Sequence, residues 1–366
     1  MLQRRDRYIL LNLIPDVGSI RLHRLCEAFG SLEALWAADA AALQQVQGIG
    51  PVLAGRLAAA LQQTGRLEQE LALAERSGVR IVTLADTDYP AILRTIPDPP
   101  LALYVHGTLT ADDASAIALV GSRGASLYGL QCADRLGYEL GLRGVTVVSG
   151  LARGIDAEAH RGALKAGGRT LAVLGSGLAR VYPPEHAGLA QAIARQGAVL
   201  SEFPMTMEPL PQHFPQRNRI ISGLSRGVVV VEAAPKSGAL ITADAALEQG
   251  RAVFAVPGPM TSVTSQGAHA LLKQGARLVT SVDDILEELG MSAPIVAETA
   301  PRSGQELSAR VLACLGRQEP ADIDRIATDS GLGAAEVSSL LLELELSRKV
   351  RQLPGKRFVR APEEWT

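Results

Sequence analysis

The chain has 366 residues, more than one hydrophobic core usually organises, so two or three domains are expected, one of them large enough for an open α/β sheet. It is 47% hydrophobic, 20% charged and 4% aromatic, which implies an aliphatic core and leaves disorder to short linkers. A formal net charge of -2 argues against a general polyanion binder, while a local basic patch can still hold a phosphate backbone.

Cys26, Cys132 and Cys314 are odd in number and far apart, with no CxxC and no Cys/His pairing at zinc-ligand spacing. Neither a disulfide framework nor a metal site is expected, and a reducing compartment fits. Met1 to Ile14 has arginines and then a short apolar stretch broken by Asn12, which reads as an amphipathic first helix and not as a signal peptide. No apolar run reaches the ~18 residues that cross a bilayer, so a soluble, cytoplasmic chain without a membrane partner is expected.

From Tyr8 to about Leu73 the pattern is helical, with breaks at Pro15-Asp16-Val17-Gly18, Phe29-Gly30-Ser31 and Gly48-Ile49-Gly50-Pro51. The last break resembles the hairpin of a helix-hairpin-helix, or is simply a tight turn. A Pro-rich passage, Asp88-Tyr89-Pro90 and Ile96 to Pro100, then leads through Leu101 to Val105 in extended form. The expected domains are a helical one over 1–77, an α/β one over 78–290, a linker over 291–304 and a last domain over 305–366.

Between Ala116 and Gly290 short apolar strands alternate with helical segments: Ile117 to Val120, Val145 to Val148, Thr170 to Leu174, Val199 to Leu200, Val228 to Val231 and Val253 to Val256. Continuous apolar strands separated by helices mean a doubly wound, Rossmann-like parallel sheet covered on both faces. Several strands end in glycine-bearing loops, which fall beyond their carboxyl ends, where such sheets bind ligands. After the linker, three helices near Ser308 to Leu315, Asp322 to Ser330 and Ala334 to Leu346 precede a hairpin, the order of a winged helix. Arg348, Lys349, Arg351, Lys356, Arg357 and Arg360 crowd that hairpin, where they can meet DNA or an acidic protein.

Gly121-Ser122-Arg123 lies between a strand and the helix opening near Ser126, so backbone N–H groups, the helix dipole and Arg123 can face a phosphate there. The plainer reading is a chain turn with Arg123 on a neighbouring carbonyl. Ser149 to Asp156 offers a second nest of donors with Arg153 beside it, and Asp156 can cap the helix that carries His160. Between Glu208 and Glu232 there is no acidic residue, yet the segment holds His213, Phe214, Arg217, Asn218, Arg219 and Arg226. Cations with an aromatic and an amide suit a single strand, whose phosphates need charge and whose bases stack; the competing reading is a solvated face paired to remote carboxylates. Lys236, Ser237 and Gly238 either wall the same anion site or form an ordinary turn capped by Ser237.

Ser122, Ser149 and Ser176 lie outside any G-x-S-x-G, and Gly175-Ser176-Gly177 lacks the third glycine of a dinucleotide fingerprint. No enzyme and no cofactor are therefore expected.

Taken in order, Val120 to Arg123 with Tyr128-Gly129, Ser149 to Asp156, Phe214-Pro215 with Arg217 to Ser225, Glu232-Ala233, Ser237 to Ala243 and Val256-Pro257-Gly258 resemble the DNA-processing protein A (DprA, also called Smf) family. The resemblance covers most of Asp88 to Leu289. It implies a helical domain similar to a sterile-alpha-motif or helix-hairpin-helix fold, a Rossmann-like core, a winged helix and a homodimer through the core. It also implies a recombination mediator of natural transformation that binds and protects incoming single-stranded DNA and loads RecA onto it, without turnover.

DNA contacts carry over to Gly121, Ser122 and Arg123, and to Phe214, Arg217, Asn218 and Arg219. Many relatives have a lysine where Pro211 stands, which leaves Arg217 or Arg226 as substitutes. Ala268 to Leu272 and Leu278-Val279 are candidates for the self-association surface. The competing class is a nucleotide phosphoribohydrolase of the lysine-decarboxylase-like type, although its Pro-Gly-Gly-x-Gly-Thr signature is missing.

Overall fold

A computed structural model of the chain describes residues 2–62, 64–291, 303–316, 320–347, 349–353 and 357–361. They fall into two compact units, Met1–Val296 and Ala297–Thr366.

The first unit opens with helices α1 (Arg4–Asn12), α2 (Ser19–Phe29), α3 (Leu32–Leu35), α4 (Ala40–Gln44), α5 (Pro51–Leu61) and α6 (Gly65–Arg76). Local chemistry sets their ends. Gly30 closes α2 in the left-handed conformation at φ 78°, Ser31 and Asp39 accept from Ala34 N and Ala42 N at 3.0 and 2.8 Å, and Pro51 starts α5. Leu25, Leu35, Leu43 and Leu57 fill the core between them. A second core joins Ile9, Leu10 and Leu67 to Tyr104 and Met205, so α1 and α6 are packed onto the sheet that follows.

That sheet runs through β1 (Val79–Thr83), α7 (Ala91–Arg94), β2 (Ala102–Gly107), β3 (Ile117–Gly121), α8 (Leu127–Leu142), β4 (Val147–Ser149), α9 (Ile155–Lys165) and β5 (Thr170–Val173). It continues with α10 (Ala187–Gln196), β6 (Ala198–Ser201), α11 (His213–Gly223), β7 (Gly227–Glu232), α12 (Gly238–Glu248), β8 (Ala252–Ala255), α13 (Gln266–Lys273), β9 (Arg277–Leu278) and α14 (Val282–Glu288). The nine strands lie in the order β1-β2-β6-β5-β4-β3-β7-β8-β9.

Pairings from β6 across to β9 are parallel, as the alternation of strands and helices requires. The sheet is nevertheless mixed. β1 pairs antiparallel with β2, and β2 antiparallel with β6, so the passage expected to be an extended approach is an integral strand. Side chains alternate between faces: Val148, Val228 and Val230 pack under Ile220 and Ala243 of α11 and α12, while Leu119, Val147 and Val229 pack under Leu136 and Ala159 of α8 and α9.

His160 sits fully buried on α9, with Nδ1 2.7 Å from Thr170 Oγ1. Burial, aided by the charges of Arg217, His186 and Arg161, pushes its pKa from 6.5 down to about 3. The unfolded chain thus binds a proton that the folded one refuses, so this group's contribution to stability is complete above pH 6.5 and declines as pH falls toward 3. The loss is about 1.4 kcal/mol per pH unit within that window. Thermal melts at pH 7 and pH 5 should show a drop for the native chain that His160→Gln largely removes; equal drops in both would refute the assignment.

The second unit holds α15 (Ser303–Ala313), β10 (Ala321–Asp322), α16 (Ile323–Ser330), α17 (Ala334–Leu346), β11 (Val350–Leu353) and β12 (Arg357–Arg360). Val311, Ile326, Val337, Leu341 and Phe358 form its core, and the strands pair antiparallel in the order β10-β12-β11. Three helices and a hairpin make this a winged helix. Lys349, Arg351, Arg357 and Arg360 are exposed on or beside the hairpin, while Arg348 and Lys356 lie outside the described residues. Most of the expected linker also lies outside them, and Ser303 and Gly304 belong to α15.

Candidate nucleic-acid interface

Strand order reverses between β3 and β7, and in a doubly wound sheet that junction opens the crevice where ligands bind. A cleft of about 640 Å³ lies there. Gly121 to Gly124 form one wall, Ala152 and Asp156 a second, Phe214, Arg217 and Asn218 a third, and Ser237 to Thr242 a fourth.

The loop after β3 is held tightly. Ser122 N donates to Glu232 O at 2.7 Å, and a Cβ on Gly121 would lie 2.5 Å from Ile155 Cγ1. The positive end of α8, expected to face an anion, is already matched by a protein carboxylate: Ser126 N donates to Glu232 Oε2 at 2.8 Å, and Thr264 donates to Glu232 Oε1. Gly129 is required because a Cβ there would lie 2.2 Å from that same Oε2. Tyr128 donates to Pro257 O at 2.8 Å, so the Tyr-Gly pair, Glu232 and Val256-Pro257-Gly258 are one assembly in space.

Arg123 is exposed and supplies the loop's cation. Its guanidinium lies over the Phe214 ring, 5.0 Å from the centroid, and Tyr182 tilts against the same ring at 5.7 Å.

Arg217 is not a surface cation. It is 4% exposed, donates to Val173 O and faces Asp156, whose carboxylate accepts from Gly150 N and Ala152 N at 3.1 and 3.4 Å. Burial pushes the Arg217 guanidinium down to about 10, opposed by Asp156 and helped by Arg123. Burial likewise pushes the Asp156 carboxyl up, with Arg217 opposing. Asp156 therefore ties the loop to α11 and leaves the cap of α9 to Gly154. Gly150 has no room for a side chain, since a Cβ would meet Arg217 Nη1 at 1.9 Å.

The remaining candidates divide. Asn218 donates to Gly238 O at 3.2 Å, and both line the cleft. Arg153 lines a side recess with Arg123 and Phe214, paired to Glu185. Lys236 is exposed on the turn before α12, beside Ser237, which caps that helix.

Arg219 lies outside this cleft. Two residues along a helix turn the side chain by about 200°, and Arg219 pairs with Asp98 at 2.9 Å and with Glu202 on the opposite side of α11. Its carboxylates are remote in sequence, as the competing reading required. Arg226 precedes β7 and donates to Leu289 O at 3.1 Å, at the far end of a strand about 20 Å long. It cannot replace a lysine at Pro211, which lines the cleft.

Sequence reasoning passed over Tyr182, which lines the cleft. Tyr182 was findable, because Tyr182-Pro183-Pro184 follows a glycine loop soon after a strand. That loop itself serves packing: Gly175 lies against Phe214, and Gly177 against the carbonyls of Pro204 and Met205.

A doubly wound sheet whose crevice joins a glycine-arginine loop to a cation-covered aromatic, in a chain that also holds helical hairpins and a winged helix, defines a multidomain α/β protein of the crevice-binding class. Residues 80–290 match the family model of DNA recombination-mediator protein A, with a SAM-like helix-hairpin-helix tandem over 8–63 and a DprA winged-helix domain over 296–356. The chain belongs to the DNA recombination-mediator protein A (DprA/Smf) family.

Protein Smf of Escherichia coli K12 is 43% identical over 298 residues, covering 79% of each chain. The X-ray structure of DprA from Streptococcus pneumoniae superposes with a TM-score of 0.69 at 34% identity, covering 79% of this chain and 99% of that one. A Helicobacter pylori DprA structure, described for its single-stranded DNA binding mode, matches with a TM-score of 0.52 at 29% identity, covering 57% and 95%.

Proposed function

We propose that the chain binds single-stranded DNA in the cleft between β3 and β7, with a phosphate on Gly121, Ser122 and Arg123 and a base against Phe214. The observation that carries this is the exposed Arg123 guanidinium over the Phe214 ring at a switch-point crevice. A cation beside an aromatic serves a strand whose phosphates need charge and whose bases need a stacking face. Asn218 and Gly238 complete the wall, Arg153 lines the side recess beside Arg123, and the exposed Lys236 lies on the turn into α12. The Helicobacter pylori relative, named for single-stranded DNA binding, supports the same reading.

In the cell the protein acts as a cytoplasmic recombination mediator of natural transformation, protecting incoming strands and loading RecA, without turnover and without a cofactor. The functional domains are 1–77, 78–290 and a last one that begins with α15 at Ser303. It works as a homodimer through the α/β domain, where Leu278 is 53% exposed; Leu271 of α13 is only 6% exposed and belongs to the core. Among the described residues no helix is long and apolar enough to cross a membrane.

Fluorescence anisotropy of labelled oligo-dT over a salt series, with duplex competitor, tests the proposal. Expected is salt-sensitive, single-strand-preferring binding that weakens about tenfold or more in Arg123→Ala, with a salt slope lower by about 0.7 for the phosphate released. Absence of binding, or ribose release from nucleoside monophosphates, would return the cleft to a phosphoribohydrolase.

A further inference from the structure

A second cleft, about 770 Å³, opens on the other side of the first turn of α11. The turn between α1 and α2, with Arg21 and Arg24, forms one wall, and the 98–101 passage forms another. A single segment separates it from the first cleft, and its residues divide between the two sides. Pro211 and Phe214 face the first cleft, while Gln212 and His213 face the second. The same short segment thus carries a wall of each cleft.

The floor of the second cleft carries unspent hydrogen-bonding capacity. Glu202 lines it, is 8% exposed, and holds Arg219 through Oε2, yet its Oε1 has no partner among the described residues. Arg219 Nη1, of the same ion pair, is a buried donor in the same condition. A buried acceptor and a buried donor, each unmatched, are costly to leave without partners. The hydrogen-bonding edge of an unpaired base supplies the complement, because every base presents a donor and an acceptor side by side there. Pro99 and Pro100 offer apolar surface for the ring, and Arg21 and Arg24 supply charge for its phosphate.

We infer that the second cleft takes the base next to the one held at Phe214 and reads its pairing edge with Glu202 and Arg219. This deepens the single-stranded DNA reading and rests on it. In duplex DNA that edge is spent on the complementary strand, so the cleft is a device for rejecting duplex, while it tolerates any of the four bases.

The test is an abasic scan: a short labelled oligonucleotide with one nucleotide at a time replaced by an abasic residue, bound to the full chain. Expected are two adjacent sensitive positions, each weakened roughly tenfold. Phe214→Ala removes the sensitivity at one, and Glu202→Gln removes it at the other while sparing the first, which also shows that this variant is folded. Arg24→Ala, on the surface, leaves the scan pattern intact and lowers the salt slope by about 0.7. A single sensitive position, or a pattern unchanged by Glu202→Gln, overturns the second cleft and leaves the first standing. No binding of the intact oligonucleotide overturns both.

Discussion

Arg217→Met lowers stability by about 3 to 5 kcal/mol, more than its loss of one hydrogen bond to Val173 O implies. Methionine fills much of the same volume, so the deficit is electrostatic: Asp156 remains buried at 6% exposure without its counter-charge. Its carboxyl, already pushed up by burial, rises further once the opposing guanidinium is gone. Protonation relieves the variant, so the deficit is largest near neutral pH and shrinks as pH falls through the raised value. Urea denaturation at pH 7.5 and pH 5 measures this. Adding Asp156→Leu to Arg217→Met recovers stability by removing the orphaned charge, yet leaves oligo-dT binding impaired, because Gly150 and Ala152 lose the acceptor that shapes their loop. A single variant that costs less than about 1 kcal/mol would mean the two charges act as a solvated pair.

Gly154→Ala damages binding out of proportion to stability. Gly154 has φ 76°, and a Cβ there would lie 2.3 Å from Ser122 O and 2.8 Å from Arg123 O. The backbone conformation alone costs about 1 to 3 kcal/mol for a residue with a side chain. The clash is with backbone, so the phosphate loop itself must move, and oligo-dT affinity should fall by roughly tenfold or more. Gly167→Ala is the control: φ is 70° with nothing within 4 Å, so it tests the conformation without the collision. Comparable melting losses with a binding defect only at Gly154 support the reading; equal binding in both would place the phosphate elsewhere.

The parts of the fold that were legible in sequence are those written in local pattern. The apolar strands from Ile117 to Ala255 and the glycine turns after them announce a doubly wound sheet, because burial on both faces forces continuous Val, Ile, Leu and Ala. β1 and the place of the extended Leu101 to Val105 passage in the sheet escaped, because the prolines between the two strands describe the connection and say nothing of the antiparallel pairing on either side. In the site, Gly121 to Arg123 and Phe214 were readable since loop glycines and an aromatic among bases carry their chemistry with them. Arg217, Arg219 and Arg226 looked alike along the chain and differ in space. One is a buried strut, one an ion-paired wall of another cleft, and one sits at the wrong end of β7. Which carboxylate each meets is decided by contacts across dozens of residues, as Asp98 and Asp156 show.

The Arg123 guanidinium resting on Phe214 has a consequence for how a strand arrives. The ring does not wait naked in water; it already has a charged companion, so a base reaches it by exchange. In the proposed binding mode, a base that takes the aromatic face displaces the arginine toward the phosphate travelling with that base. In that binding mode the side chain that covers the ring before a strand arrives is also the one that meets the strand's phosphate.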